Sequence, residues 1–169
     1  MSVSSEQASQ VVNEFFDAYR GQDVDRMVDL CHYNADFYYR PFEAWSRQRV
    51  IRGDGKVHTI GKTFWRTLIN SFPNLTNQVK FVTADDEGNV AVELNIGGTQ
   101  ARPFGTIASP GATYDLPHVF LFRVGDEGLI DEISAYWDSQ LTRFPVIVEE
   151  GLIFVAVPEI EPEPGKVYE

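Results

Sequence analysis

The sequence predicts an α+β protein in which the helices come first and an antiparallel sheet follows. Its order of elements reads as helix, helix, strand, helix and then four strands, which differs from the alternation of parallel α/β proteins. Aromatic residues make up 13% of the chain, with 12 Phe and 7 Tyr, and this favours a sheet with large side chains around a core or cavity. A length of 169 residues is typical of one main domain.

The first helix is predicted from a capping residue, an apolar stripe and a stop. Ser4 or Ser5 can cap its amino end, and Gly21 ends it. The stripe between them recurs at helical spacing and consists of Val11, Val12, Phe15, Phe16 and Tyr19.

Two more helices follow. A short one starts at Asp23 or Asp25 and runs through Leu30, and a third spans 62–72 and ends before Pro73. The third helix carries an apolar stripe of Phe64, Trp65, Leu68 and Ile69.

The segment between the second and third helices is predicted as one strand and a loop. The strand covers 37–40 and ends at Pro41, because proline cannot donate to a sheet ladder. Residues 43–62 contain glycines and read as a loop. This loop is either solvated or in contact with an anion, since it holds the basic residues Arg47, Arg49, Arg52, Lys56 and Lys62.

The sheet is predicted from two hairpins. Residues 78–83 and 90–96 flank a polar turn, and residues 114–124 and 129–138 flank a second turn at 125–128. A bend and a longer loop, ending at residue 111, connect the hairpins.

The chain divides into a main domain, 1–143, and an extension, 144–169. Two apolar runs, 146–148 and 152–157, predict a small hairpin that docks on a partner subunit or on the chain's own sheet. An acidic, proline-rich tail follows it, with Pro158, Pro162 and Pro164.

Charge argues against two classes of partner. The net charge is −11, and neither nucleic acid nor an anionic membrane surface binds well to an acidic protein. No apolar run reaches the roughly 18 residues of a membrane span, and the first residues lack the pattern of a signal peptide. We therefore expect a cytoplasmic protein.

Metal and cofactor sites are also not expected. The single cysteine, Cys31, allows no internal disulfide and no Cys-based zinc site, and it is predicted to be buried. Three scattered histidines lack the short spacing of metal ligands, and no glycine-rich phosphate loop is present.

The ordered set of short motifs over residues 8–140 resembles the SnoaL-like polyketide cyclases, a branch of the nuclear-transport-factor-2-like fold. The motifs that carry the resemblance are Phe15-Phe16-Asp17-Ala18-Tyr19, Gly21-Gln22-Asp23, Asn34-Ala35-Asp36, Gly61-Lys62, Ser71-Phe72-Pro73-Asn74, Gly98-Thr99-Gln100, Phe122-Arg123-Val124 and Tyr136-Trp137-Asp138.

The resemblance implies a cone, in which a curved mixed sheet wraps around three helices and encloses an apolar pocket. Such proteins include cofactor-free cyclases, isomerases, dehydratases and epoxide hydrolases, and others only bind ligands. Relatives commonly pair through the outer face of the sheet, so a homodimer is expected.

His118 is the leading candidate for catalysis. Strand alternation places His118, Phe120 and Phe122 on one face and Arg123 on the other, so the histidine is predicted to face inward. A neutral imidazole can take or give a proton near neutral pH. The resembling family has a histidine at this position beside an aspartate. The alternative is a core histidine that is hydrogen bonded to a backbone carbonyl.

The carboxylate partner depends on the register of the last strand. Pairing Val124 with Leu129 puts Asp131, Ile133, Ala135 and Trp137 inside, whereas a slip by one residue puts Ile130, Glu132, Ser134 and Tyr136 inside. The family's aspartate aligns with Ile133 or Ala135, neither of which transfers a proton. Asp131 is therefore the predicted catalytic partner of His118, or else a solvated residue near the turn.

The remaining predicted site residues bind the ligand. Tyr19, by its resemblance to the family's tyrosine, and Gln100 would polarise a substrate oxygen; the pocket wall would consist of Phe16, Tyr39, Trp65, Phe120 and Trp137. The predicted function is a cofactor-free acid–base enzyme, of cyclase, isomerase or dehydratase type, acting on a small hydrophobic carbonyl compound. The alternative is a non-catalytic module that binds a small ligand or mediates dimer formation.

Overall fold

The protein forms three helices packed on a curved, mixed sheet of six strands that is not closed. The computed structural model describes residues 2–46, 49–102, 111–137, 146–149 and 152–155, and the side chains of 2–39, 54–102 and 111–137. The helices are α1 (Ser5–Arg20), α2 (Val24–Asp29) and α3 (Lys62–Ser71), with a π-helical turn, Val57–Gly61, directly before α3.

The strands of the sheet are β1 (Cys31–Ser46), β2 (Arg49–Lys56), β3 (Thr76–Ala84), β4 (Asn89–Thr99), β5 (Thr113–Val124) and β6 (Ile130–Trp137). Their spatial order is β2-β1-β6-β5-β4-β3. Strands β1 and β6 are parallel, and all other neighbours are antiparallel.

The cap that was predicted at Ser4 forms a complete capping box at the start of α1. The Ser4 hydroxyl accepts a hydrogen bond from the Gln7 amide at 3.2 Å, and the Gln7 side chain accepts one from the Ser4 amide at 3.1 Å. Gly21 ends the helix as predicted. Two otherwise unpaired amides are satisfied in this way, which fixes where the apolar stripe of α1 begins.

Phe15 lies at the centre of the core between α1, α3 and the sheet. Its ring is fully buried and meets Phe16, Trp65 and Phe122 edge-on, at centroid distances of 5.4, 5.5 and 5.3 Å. Edge-to-face pairs add to the stabilisation that burial of apolar area provides. These contacts join α1 and α3 to the inner face of the sheet.

Strand β1 is longer than predicted. The prediction that it ends at Pro41 is wrong, because the strand continues to Ser46. Its pairing with β2 shifts between Tyr39 and Glu43, so Pro41 falls within a bulge, where a missing amide proton costs no ladder hydrogen bond.

The loop predicted at 43–62 is also mostly wrong. Strand β2 occupies Arg49–Lys56 and forms one edge of the sheet, despite its glycines. The side chains of Arg49 and Arg52, and residue Arg47, lie outside the described part of the chain, so the anion contact stays a prediction.

The predicted hairpins are confirmed. Strands β3 and β4 pair, β5 and β6 pair, and the small predicted hairpin is formed by β7 (Val146–Glu149) and β8 (Leu152–Val155). Most of the predicted loop before residue 111, and the acidic tail after Val155, lie outside the described residues. The division at 143/144 stays a prediction.

Two glycines in the hairpin turns give a matched test of the fold. Both Gly88 (φ 88°) and Gly128 (φ 76°) are left-handed. A Cβ on Gly88 would collide with the Val124 carbonyl oxygen and lie 3.1 Å from Cγ1 of Val3, whereas a Cβ on Gly128 would have no neighbour within 4 Å.

We expect Gly128→Ala to lower the free energy of unfolding by about 1 kcal/mol, the cost of a left-handed alanine. Gly88→Ala should lower it by about 3 kcal/mol, because overpacking is added to the same strain. Urea denaturation of both variants measures the difference. Equal losses would show that the β3–β4 turn does not press against β5 as described.

Candidate functional site

A narrow cavity lies on the inner face of the sheet, between α3 and the central strands. Its volume is about 40 Å³, room for about three water molecules. A larger ligand must therefore separate the side chains of the wall. The lining residues are mainly aromatic and aliphatic: Tyr39, Phe64, Leu68, Phe72, Leu75, Ile96, Gly97, Gly98, Tyr114, Leu116, His118 and Trp137.

His118 is held from both sides of its ring. Its Nδ1 lies 2.9 Å from the Leu116 carbonyl oxygen, and its Nε2 lies 2.8 Å from the Tyr39 hydroxyl. Because a carbonyl can only accept, Nδ1 carries the proton in the neutral ring. Nε2 then presents its lone pair to Tyr39, whose hydroxyl donates to it.

The order of strands brings these two residues together across 79 positions of sequence. Ala135 of β6 pairs with Tyr39 of β1 on one side and with Phe120 of β5 on the other. Since alanine projects so little, the Tyr39 ring can lean across β6, and it approaches the Phe120 ring to 6.4 Å and the His118 ring to 5.9 Å. Strands two places apart are otherwise separated by about 9.6 Å.

Burial controls the protonation of the pair. Loss of solvent lowers the pKa of His118 from 6.5 to about 4, and the hydrogen bond to the Leu116 carbonyl opposes this only in part. Burial, followed by the electrostatic effect of Tyr19, raises the pKa of Tyr39 well above its ordinary value. Both groups are therefore neutral at pH 7, which is the state that the hydrogen bond between them requires.

Trp137 lines the cavity beside His118. Its ring stacks on the His118 ring, with a centroid distance of 5.4 Å and an interplanar angle of 10°. Its indole N–H is buried and has no hydrogen-bond partner among the described residues. A buried donor without an acceptor costs about 1–3 kcal/mol, so an acceptor on a ligand would be favourable there.

The prediction that Asp131 faces the pocket is wrong. Val124 pairs with Ile130, and Arg123 pairs with Glu132, so Asp131 is the extra residue of a bulge and its side chain is exposed. The rest of the favoured face is confirmed, since Ile133 and Ala135 are buried and Trp137 lines the cavity. No carboxylate is among the residues that line the cavity in the described part of the chain.

Three of the nine predicted site residues line the cavity: His118, Tyr39 and Trp137. Phe120 is buried beside His118, at a ring distance of 6.2 Å, without reaching the cavity. Phe16, Trp65 and Tyr19 belong to the core around Phe15. The Tyr19 hydroxyl is buried, which raises its pKa.

Gln100 also does not line the cavity. It is buried at the end of β4, where its backbone amide donates to Ala112 and its side-chain amide donates to the Arg102 carbonyl at 3.0 Å. Its position indicates that it holds the strand end in place, and it does not reach the space beside His118.

Sequence reasoning missed much of the lining. Tyr114 and Leu116 alternate with His118 along β5, and the same parity argument would have found both. Phe64 and Leu68 were recognised as the apolar stripe of α3, but a stripe does not reveal whether it faces a core or a cavity. Phe72 follows α3 and was placed in it only as its last residue.

Other chemistry is weakly supported in the described residues. No group of three His, Cys, Asp or Glu side chains in the described part of the chain could hold a metal ion. Cys31 is buried as predicted, and burial raises the pKa of its thiol to about 12. None of the helices described for this chain has the length and apolar character needed to cross a membrane.

Comparison with protein families decides the assignment. The family model described as SnoaL-like domain matches residues 12–133, which include α1 from Val12 onward and the whole of β5, the strand that carries His118. The chain belongs to the SnoaL-like domain family. No curated protein sequence matches it.

Solved structures of the family share the fold of this SnoaL-like protein. A candidate SnoaL-like polyketide cyclase from Jannaschia sp. CCS1 is 24% identical, with a TM-score of 0.63 over 82% of this chain and 90% of that one. The candidate polyketide cyclase IdmH from Streptomyces antibioticus is 20% identical, with a TM-score of 0.64 over 81% and 96%.

A third similar structure is the epoxide hydrolase/cyclase-like enzyme SalBIII, which is described in pyran ring formation in the polyether salinomycin. It is 20% identical, with a TM-score of 0.61 over 80% of this chain and 93% of that one. At these identities the likeness shows the nuclear-transport-factor-2-like fold.

The lowered pKa of His118 predicts how stability depends on pH. The unfolded chain binds a proton on this histidine below about pH 6.5, whereas the folded chain does so only below about pH 4. The contribution of His118 to the free energy of unfolding is therefore fully present above pH 6.5. It falls by up to about 3 kcal/mol on acidification to pH 4.

We expect the His118→Gln variant to lack this pH-dependent part of the free energy of unfolding. Urea denaturation of both proteins at several pH values from 4 to 7 isolates it, because all other titrating groups are shared. Parallel curves for the two proteins would contradict the buried, neutral histidine.

Proposed function

We propose that this protein is a cofactor-free acid–base enzyme that acts on a small hydrophobic carbonyl compound. The observation that carries the proposal is the 2.8 Å hydrogen bond between Tyr39 and His118 at the wall of an otherwise apolar cavity. Two hydrogen-bonded groups that can each transfer a proton, beside an apolar wall, are suited to proton transfer next to a carbonyl.

Tyr39 and His118 act as a proton relay. A hydrogen on the carbon next to the substrate carbonyl passes to the Tyr39 oxygen, while the proton of Tyr39 passes to Nε2 of His118. The electron pair of the broken C–H bond moves onto the carbonyl oxygen and gives an enolate. The imidazolium that forms keeps its Nδ1–H bond to the Leu116 carbonyl. The reverse relay returns the proton to a different atom of the substrate.

Trp137 stabilises the negative oxygen. Its buried indole N–H lacks an acceptor among the described residues, and its ring is stacked on His118. In a site with a mainly apolar lining, a fixed donor aimed at a developing oxyanion lowers the barrier without reorganisation. The substrate carbonyl therefore lies beside Trp137, whose ring contacts that of Tyr39 at a centroid distance of 5.7 Å.

The weak basicity of His118 restricts the substrate. With a pKa of about 4, the imidazole removes a proton readily only from an acidic C–H bond. A carbon between two carbonyl groups meets this condition, since the enolate is shared by both oxygens. The favoured substrate class is therefore a 1,3-dicarbonyl compound with an apolar substituent, which suits the wall formed by Phe64 and Leu68.

The comparisons support chemistry of this type. Two of the similar structures are named as candidate polyketide cyclases and one as an epoxide hydrolase/cyclase-like enzyme. Ring closure through an enolate carbon uses the same first step as the proton relay, so cyclisation and isomerisation are both compatible with the site.

A second candidate is a binding protein without catalysis. The exposure of Asp131 favours it, because no carboxylate in the described cavity wall can assist His118. In that case Tyr39, His118 and Trp137 would only orient a ligand.

Hydrogen–deuterium exchange at the central carbon of 1-phenylbutane-1,3-dione, followed by NMR in D₂O, tests the relay without knowledge of the natural substrate. We expect the protein to accelerate the exchange, and His118→Gln and Tyr39→Phe each to reduce the acceleration by about 100-fold or more. His58→Gln is the matched control, because His58 also contacts a backbone carbonyl, that of Cys31, at 3.3 Å but lies outside the cavity.

Binding of the diketone without accelerated exchange would establish the binding protein instead. Equal loss of exchange in all three variants would show that the effect comes from general destabilisation.

We also propose that the protein is a homodimer that pairs through the outer face of the sheet. That face exposes large apolar side chains on three strands: Phe81, Val119, Leu121 and Tyr136. Val119 pairs directly with Tyr136, so part of the apolar surface is continuous across two strands.

Sedimentation equilibrium at micromolar concentration should give twice the 19.1 kDa chain mass. Val119→Glu should shift the protein to the monomer, because a buried unpaired charge destabilises an interface. Tyr33→Glu, which changes an aromatic residue that is 79% exposed elsewhere, should remain dimeric. A wild-type monomer would refute the pairing.

A further inference from the structure

The cavity has a second polar position that the proton relay does not use. Tyr114 lines the same cavity and is 5% exposed, but it lies four residues before His118 on the inner face of β5. Antiparallel strands rise about 3.4 Å per residue, so the two backbones are about 14 Å apart along the strand. Tyr114 is paired with Gly98 and His118 with Leu94, which places them at opposite ends of the lining.

The surroundings of Tyr114 hold its ring in place. Phe72 meets it edge-on at a centroid distance of 5.9 Å, and Gly98, opposite it on β4, contributes no side chain. Burial raises the pKa of the Tyr114 phenol, so it remains a hydrogen-bond donor at neutral pH.

The wall between the two ends is apolar. Leu116 lies between Tyr114 and His118 on β5, and Leu68 and Ile96 face it from α3 and β4. The described lining therefore presents proton donors at two separate ends and only hydrocarbon between them.

We infer that Tyr114 is a specificity-determining residue, whose hydroxyl contacts a second oxygen at the far end of the substrate. The inference rests on the proposed function for the end at His118 and names its substrate class more closely. The preferred substrate carries a 1,3-dicarbonyl group at one end, an apolar body that lies along Leu116, and a hydroxyl or carbonyl oxygen at the other end. A site built to hydrogen bond a substrate oxygen discriminates against the analogue that lacks it.

A matched pair of ligands tests this contact. 1-(4-Hydroxyphenyl)butane-1,3-dione and 1-phenylbutane-1,3-dione differ only in an oxygen at the far end of the ring. Isothermal titration calorimetry gives their Kd values for the wild type, Tyr114→Phe and the control Tyr33→Phe, which makes the same change at a residue that is exposed outside both the cavity and the proposed dimer face.

We expect the wild type and Tyr33→Phe to bind the hydroxylated ligand about tenfold more tightly, as one hydrogen bond allows. Tyr114→Phe should bind the two ligands equally. An unchanged preference in Tyr114→Phe, no preference in the wild type, or no binding of either ligand would each overturn the inference.

Deuterium exchange of the same ligands separates this inference from the proposed function. Accelerated exchange without a binding preference that depends on Tyr114 would support the proton relay and refute the specificity contact. A binding preference that depends on Tyr114 without accelerated exchange would support a site that binds both ends of a ligand and refute the proton relay.

Discussion

The position of β6 between β1 and β5 is the constraint on which the site depends. Ala135 separates Tyr39 from Phe120 by a single methyl group, and the large rings on either side close over it. A larger residue there would hold the Tyr39 ring away from His118. The parallel pairing of β1 with β6, in a sheet whose other neighbours are antiparallel, therefore brings the Tyr39 hydroxyl to His118.

The apolar wall that encloses the pair both permits and limits its chemistry. Removal of water keeps His118 neutral and Tyr39 protonated, and it strengthens every interaction with a charge that develops in the cavity. The same desolvation makes the imidazole a weak base. The proposed dicarbonyl substrate would resolve this conflict, because the acidity of its C–H bond would replace the basicity that the protein does not provide.

Local patterns in the sequence were sufficient for most elements, and long-range pairing accounts for the failures. Strict alternation along β5 correctly placed His118 inside. The helical spacing of the apolar residues in α1 identified that helix. A bulge shifts the face of every residue on one side of it without a clear sequence signal, so Asp131 was misplaced and β1 was cut short at Pro41.

The site was predictable only in part for a related reason. Trp137 was predicted as a wall residue from the strand register as well as its aromatic character. Tyr39 was predicted from its aromatic character, but Phe16 and Trp65, with the same character, belong to the core. Which aromatic side chains face a cavity depends on how α3 lies across the sheet, and that is not encoded in any one segment.

The protonation state of the His118 ring is the most direct test of the proton relay between Tyr39 and His118. Two-dimensional ¹H–¹⁵N NMR of the imidazole should show a proton on Nδ1 and none on Nε2 at pH 7, with a titration midpoint at about pH 4. Tyr39→Phe should change the Nε2 shift and leave Nδ1 protonated. A protonated Nε2, or a midpoint near 6.5, would mean that Tyr39 does not donate to a buried neutral histidine, and the proton relay would have to be abandoned.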